Sequence, residues 1–132
     1  MRDVDDDVVI ILVATQENIF NNIRDALVET TAALLHAQTN HEAIALVERL
    51  RNGVDLAIVE LELPDFGAWD LLRKLSWRSH NPVKVIATTV LYPEPELDKE
   101  LGVVAVVPKV IPPEEWRRTV ETALGKSVGI TA

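Results

Sequence analysis

Five short apolar segments recur along the chain, and a polar or amphipathic stretch follows each of them. The segments are mostly continuous rather than alternating, and they are rich in β-branched residues. This pattern is typical of parallel strands that are covered on both faces. The five predicted strands are residues 8–14, 32–37, 56–59, 83–89 and 103–107.

The stretches between the apolar segments have helical spacing. Ile19, Ile23 and Leu27 recur at intervals of four, which indicates one apolar stripe facing a core. The next helix is predicted to start at Thr39 or Asn40, either of which can cap its first turn. The later predicted helices are residues 68–77, a short stretch within residues 92–102 that two prolines limit, and a last helix that begins in the PPEEW stretch, residues 112–116, and ends at residue 124.

Strand and helix alternate five times, so the chain is predicted to belong to the α/β class. The expected architecture is a five-stranded, doubly wound parallel sheet, (βα)5, of the flavodoxin-like kind, with right-handed crossovers. At 132 residues the chain has the length of one domain. We expect an acidic tail at residues 1–7, the domain at 8–125 and a second tail at 126–132.

Composition narrows the possible partners. The formal net charge is −8 and the estimated isoelectric point is about 4.8, so the surface disfavours direct binding to nucleic acid or to anionic membranes. The chain contains no cysteine, which excludes disulfides and thiolate chemistry. Its apolar runs are too short to span a bilayer, and the first residues do not form a secretory signal. A cytoplasmic location is expected.

Residues that directly follow the predicted strands are the candidates for chemistry, because ligands of such sheets bind outside the carboxyl ends of the strands. The three histidines, by contrast, do not have metal-ligand spacing. The strand-end candidates are Ala14 and Thr15 after the first strand, Glu60 and Glu62 after the third, Thr89 at the end of the fourth and Lys109 after the fifth.

Three of these positions lie in motifs of a known family. The stretch DLAIVELELP, from Asp55 to Pro64, is similar to the pattern D-x-x-x-x-D-x-x-[ML]-P, with Glu60 at the second acidic position. The stretch KVIATTV is similar to a KVIxxTA-like run and ends its strand with Thr89. The stretch GVVAVVPKV is similar to GAxxYLxKP and contains Lys109. Over roughly residues 8–124 the chain resembles the receiver domain of bacterial two-component response regulators, which is CheY-like in fold.

The resemblance also identifies departures at the metal site. Family members end their first strand with two acids that hold magnesium, and the corresponding positions here are Ala14 and Thr15. Magnesium needs hard oxygen ligands, and phosphoryl transfer depends on it to neutralise developing charge. The acidic run at residues 5–7 precedes the strand and is expected at the other end of the sheet. We therefore expect Mg²⁺ binding to be lost or weak, and no other cofactor is implied.

The resemblance places Glu60 where the family has its phosphoacceptor aspartate. A glutamate is one methylene longer, which moves the carboxylate away from the position for in-line attack and toward Lys109 and Thr89. We hypothesise a direct Glu60–Lys109 pair that either imitates a phosphorylated aspartate or fills its space. Val106 and Val110 replace the family's mobile aromatic residue and its proline after the lysine, and Glu62 is expected to face solvent or a neighbouring loop.

The resulting prediction is a pseudo-receiver, a protein-interaction module that is not an enzyme and does not depend on phosphorylation. Its partner would be a histidine kinase, an output domain or another signalling protein. The last helix is the expected contact face, with Trp116 as a candidate interface residue, and homodimer formation is left open. The alternatives are a working phosphoacceptor with an unconventional site and an unrelated flavodoxin-like domain that binds a small ligand.

Overall fold

The computed structural model describes most of the chain, and its helices and strands alternate as the apolar pattern predicts except across residues 91–101, which lie outside the described part. The described residues are 8–15, 17–28, 30, 32–50, 53–62, 68–76, 83–90, 102–109 and 111–125. Within them the strands are β1 Val9–Val13, β2 Ala33–Ala37, β3 Leu56–Glu60, β4 Lys84–Thr89 and β5 Val103–Pro108. The helices are α1 Glu17–Leu27, α2 Asn40–Leu50, α3 Ala68–Ser76 and α4 Pro113–Leu124.

The strands form one parallel sheet in the order β2-β1-β3-β4-β5, which confirms the predicted fold class. The chain moves outward from β1 to β2 and then crosses back to β3 on the other side of β1. The strand order therefore reverses between β1 and β3, and in sheets of this kind ligands bind at such a reversal, outside the carboxyl ends of the strands. The registers that matter at this edge are Val13↔Val59, Glu60↔Thr88 and Thr89↔Pro108.

Both faces of the sheet are covered, which explains the continuous apolar strands. Successive strand side chains point to opposite faces. Ile11, Val13 and Val59 belong to the core on the side of α2 and α3. Ile10 and Ile58 belong to the core on the side of α1 and α4. A strand buried on both faces has no solvent-facing positions at which polar residues would be favoured.

Trp116 lies in the core, which makes the prediction that its side chain contributes to an interface wrong. Its exposed fraction is 0%, and it packs in the cluster that lies between the sheet, α1 and α4. Residues 116, 120 and 123 follow helical spacing on one face of α4, and all three side chains, Trp116, Val120 and Ala123, are buried. The face of α4 that carries Trp116 therefore packs against the sheet.

The predicted boundaries agree with the observed elements to within one or two residues where both can be compared. β3 extends one residue beyond its predicted end and includes Glu60. The last helix ends at Leu124 and is capped by Gly125, whose φ of 74° is the left-handed conformation that glycine adopts readily. The following predictions lie outside the described residues: the tails at 1–7 and 126–132, the helix within 92–102, and the assignment of Val110.

None of the helices in the described part of the chain has both the length and the apolar composition needed to cross a membrane.

Candidate functional site

Glu60 is the last residue of β3, which lies between β1 and β4, and its carboxylate is buried at the carboxyl edge of the sheet. Its side chain is 2% exposed. Oε1 accepts a hydrogen bond from Nζ of Lys109 at 2.6 Å, and Oε2 accepts one from the backbone N–H of Thr15 at 2.9 Å. The hydroxyl of Thr15 lies 3.4 Å from the same Oε2. Both carboxylate oxygens of Glu60 are therefore engaged within the protein.

Lys109 follows β5 directly and brings the positive charge to this edge. Its ammonium contacts two carboxylates, Oε1 of Glu60 at 2.6 Å and Oε1 of Glu62 at 3.0 Å, and the side chain is 8% exposed. Burial by itself would lower the pKa of Lys109, but the hydrogen bonds to Glu60 and Glu62 outweigh it and raise the pKa above its ordinary value. The lysine therefore stays protonated at neutral pH.

Glu62 lies in the turn after β3, and its side chain is 32% exposed. It is expected from the sequence to face solvent or a neighbouring loop, and it does contact Val90 after β4, but it also contacts Thr89 and Lys109 in the site. Its Oε2 accepts a hydrogen bond from the hydroxyl of Thr89 at 2.6 Å, and its Oε1 accepts one from the backbone N–H of Val90 at 3.1 Å. Partial burial opposes ionisation, but the hydrogen bonds from Thr89, Lys109 and Val90 outweigh it and lower the pKa of Glu62.

The ladder between β3 and β4 positions this glutamate. The backbone N–H of Leu61 donates to the carbonyl of Thr88 at 2.9 Å, so the pairing of the two strands continues one residue beyond β3. Glu60 and Glu62 are two residues apart, and in extended chain such residues point to the same side. This two-residue spacing is visible in the sequence, and it is the feature from which the contact of both carboxylates with Lys109 could have been predicted.

Thr89 is the last residue of β4 and is buried. It lies in register with Pro108, the residue before Lys109, which explains why its hydroxyl and the Lys109 ammonium reach the same carboxylate. The structure thus brings together the three predicted residues Glu60, Thr89 and Lys109. The hydroxyl of Thr89 contacts Glu62 rather than Glu60.

Ala14 and Thr15 lie at the end of β1, as predicted, and their backbone groups take part in the local hydrogen bonding. The N–H of Ala14 donates to the carbonyl of Ala37 at 3.0 Å, and the carbonyl of Ala14 lies 2.7 Å from Nε2 of His36. The ring of His36 stacks on Phe20 with 4.7 Å between centroids. These contacts hold β1, β2 and the start of α1 together beside Glu60.

The donor set at this edge does not fit a magnesium ion. Ala14 contributes a buried methyl group, and both Glu60 and Glu62 are already bound to the Lys109 ammonium. A divalent cation would have to displace that ammonium or share its carboxylates with it. Among the residues that the structure describes, no group of three or more acidic, histidine or cysteine side chains is placed to hold a metal. Magnesium needs several hard oxygen ligands that are free to coordinate it, and the carboxylates of Glu60 and Glu62 are held by Lys109 instead.

Comparison with known proteins identifies the architecture. No protein-family model matches the chain. No curated protein matches it. Solved structures do: the chemotaxis response regulator CheY4 of Vibrio cholerae is similar at a TM-score of 0.75 and 17% identity, covering 89% of this chain and 99% of that one.

Two further similar structures come from other bacteria. A response regulator from Thermotoga maritima has a TM-score of 0.71 and 18% identity, over 90% of this chain and 98% of that one. The signal receiver domain of an HD domain-containing protein from Pseudomonas fluorescens Pf-5 has a TM-score of 0.72 and 22% identity, over 90% and 88% of the two chains. The chain therefore has the CheY-like fold of response regulator receiver domains.

Proposed function

We propose that the chain is a pseudo-receiver, a protein-interaction module of two-component signalling whose partner binding does not depend on phosphorylation. The observation that supports this proposal is the burial and hydrogen bonding of the Glu60 carboxylate. Its carboxylate stands at the end of β3, is almost completely buried, and is bound by Lys109 through one oxygen and by Thr15 through the other. Such a group is held in an ion pair and is not presented to a phosphodonor.

The surroundings of Glu60 also disfavour phosphoryl acceptance. Transfer of a phosphoryl group relies on precise positioning and on a cation that neutralises the charge developing on the transferred oxygens. The alanine at position 14 and the engaged carboxylates do not supply a magnesium site. The ammonium of Lys109 is already shared between Glu60 and Glu62. The proposed module accordingly catalyses no reaction and requires no cofactor.

The partner is proposed to be a histidine kinase, an output domain or another signalling protein in the cytoplasm, and a second copy of the chain is an alternative. If α4 forms the contact, the partner meets its exposed side chains rather than Trp116, which is buried. Arg118 and Thr122 are among these exposed residues. The net charge of −8 favours a protein partner over nucleic acid or an anionic membrane.

One observation favours the alternative of a working phosphoacceptor. Thr89 and Lys109, a hydroxyl and an ammonium, still converge at the edge where such a reaction would take place. A different observation bears on the alternative of a small-ligand domain. A cavity of about 390 Å³ lies between β5 and α4, and its lining includes Val104, Val107 and Arg118.

Intact-mass measurement separates these possibilities. The purified chain is incubated with Mg²⁺ and acetyl phosphate, and we expect its mass to remain that of the unmodified protein. A stoichiometric phosphoryl adduct that peptide mapping assigns to Glu60 would contradict the proposal and support the phosphoacceptor. A thermal shift with nucleotides or flavins tests the small-ligand alternative, because a ligand that binds only the folded state raises the melting temperature.

A further inference from the structure

Three hydrogen-bond donors converge on the carboxylate of Glu62. They are the hydroxyl of Thr89, the backbone N–H of Val90 and the ammonium of Lys109, at 2.6, 3.1 and 3.0 Å from its oxygens. The donors come from two separate segments, the end of β4 and the residue after β5. A hydroxyl, a backbone amide and a cation that point at the same oxygens are the groups that bind an oxyanion.

Glu60 uses only one of these three donors, the ammonium of Lys109. Its Oε2 accepts from Thr15, and its Oε1 takes a single hydrogen bond from Lys109. An ammonium has three hydrogens, so Lys109 bonds to both glutamates at once. Removing the Glu62 carboxylate is therefore expected to leave the Glu60–Lys109 pair in place and to take away an acceptor from the hydroxyl of Thr89, the amide of Val90 and one ammonium hydrogen.

We infer that Glu62 is a permanent, covalently tethered anion that occupies the donors supplied by Thr89, Val90 and Lys109. The inference rests on the proposed function, because it concerns the same edge of the sheet and explains how that edge is kept independent of an external anion. The residues just after β4 are held by a carboxylate that belongs to the chain. Their position is then set by folding and not by phosphorylation.

The tether accounts for the permanence of this arrangement. A carboxylate that the fold holds in contact with its donors has a high effective concentration, so a weakly binding external anion does not displace it. The charges also define which external anion would fit the emptied site. Without Glu62 the remaining pair, Glu60 and Lys109, has no net charge, which favours a singly charged carboxylate such as acetate over doubly charged phosphate.

The test uses chemical rescue in the full chain. We expect E62A to have a lower melting temperature than the unchanged protein, and acetate to restore part of that loss in a saturable manner, whereas chloride at equal ionic strength does not. The double variant E62A/T89V lacks one donor and should lose the rescue. Equal effects of acetate and chloride on E62A, or equal rescue of E62A and E62A/T89V, would overturn the inference.

A second measurement applies even if E62A does not fold. In the unchanged protein the ¹⁵N–¹H resonance of Val90 should follow the ionisation of Glu62 as the pH is lowered, and E62Q should remove that titration. A Val90 resonance that does not respond, or responds equally in E62Q, would contradict the inference. Neither result depends on phosphorylation of Glu60, so failure of this inference is distinguishable from failure of the proposed function.

Discussion

The ammonium nitrogen of Lys109 lies 2.6 Å from Oε1 of Glu60, and both side chains are almost completely buried. The two residues are 49 positions apart in the chain and come from strands that β4 separates in the sheet. Each has a further partner at the same edge, Glu62 for the lysine and the backbone of Thr15 for Glu60. This chain of contacts connects the carboxyl ends of β1, β3, β4 and β5.

Removal of Lys109 tests the pair directly. K109A leaves the carboxylate of Glu60 buried without its ammonium partner, and breaking a buried pair in this way costs about 3–5 kcal/mol of the free energy of unfolding. Urea unfolding followed by circular dichroism measures the loss. The control is K74A, because Lys74 is exposed on α3, and such surface changes typically stay within about 0.5 kcal/mol. Equal stability of K109A and K74A would show that the pair is not formed.

Restoration of a metal site requires more than one substitution. E60D alone should bind no Mg²⁺ and accept no phosphoryl group, because the carboxylates missing at positions 14 and 15 remain missing. The triple variant A14D/T15D/E60D should bind Mg²⁺ in isothermal titration calorimetry. Phosphorylation of E60D by acetyl phosphate, detected as intact mass, would refute the explanation based on the absent acid pair.

The ionisation of Glu62 predicts a specific loss of stability in acid. Its pKa in the folded state lies below the ordinary value of 4.5, so the folded state binds this proton less readily than the unfolded state. The stabilisation is complete above that ordinary value and is lost as the pH falls through the folded pKa. Thermal unfolding over a pH series measures this slope. E62Q removes the titrating group and should show a shallower decline, whereas an unchanged slope would exclude Glu62 as its source.

The raised pKa of Lys109 predicts that the stability it contributes is lost at high pH rather than in acid. Its pKa is raised above the ordinary value of 10.5, so its contribution is complete below that value and disappears only as the pH rises through the folded pKa. Between neutral pH and the ordinary lysine value the pair should therefore contribute a constant amount. Urea unfolding of the unchanged protein and of K109M across this range should give a constant difference; a difference that declines within it would contradict the prediction.

Because Trp116 is buried, its truncation should lower the stability of the folded protein. W116A should lower the free energy of unfolding by about 3–5 kcal/mol, as truncation of a buried aromatic side chain does. R118A, on an exposed position of the same helix, is the control and should change stability little. If W116A kept full stability and lost only partner binding, the tryptophan would have to be accessible, contrary to its position in the structure.

Much of the fold is encoded in local pattern. Continuous apolar segments identify strands covered on both faces, and the spacing of Ile19, Ile23 and Leu27 identifies the buried stripe of α1. The convergence of Glu60, Thr89 and Lys109 also follows from sequence, because parallel strands place their carboxyl ends at one edge. The burial of Trp116 could also have been predicted from the sequence, because Val120 and Ala123 lie on the same face of the helix.

The sequence by itself determined the alternation of strands and helices and the residues that stand at the strand ends. Only the tertiary structure decided how those residues divide their contacts. Thr89 and Val90 bind Glu62 and not Glu60, because the β3–β4 ladder continues through Leu61 and brings the next carboxylate against the end of β4. Whether two groups form a hydrogen bond depends on differences of a few tenths of an ångström in the distance between atoms of separate strands. Residue spacing along the chain does not encode those differences.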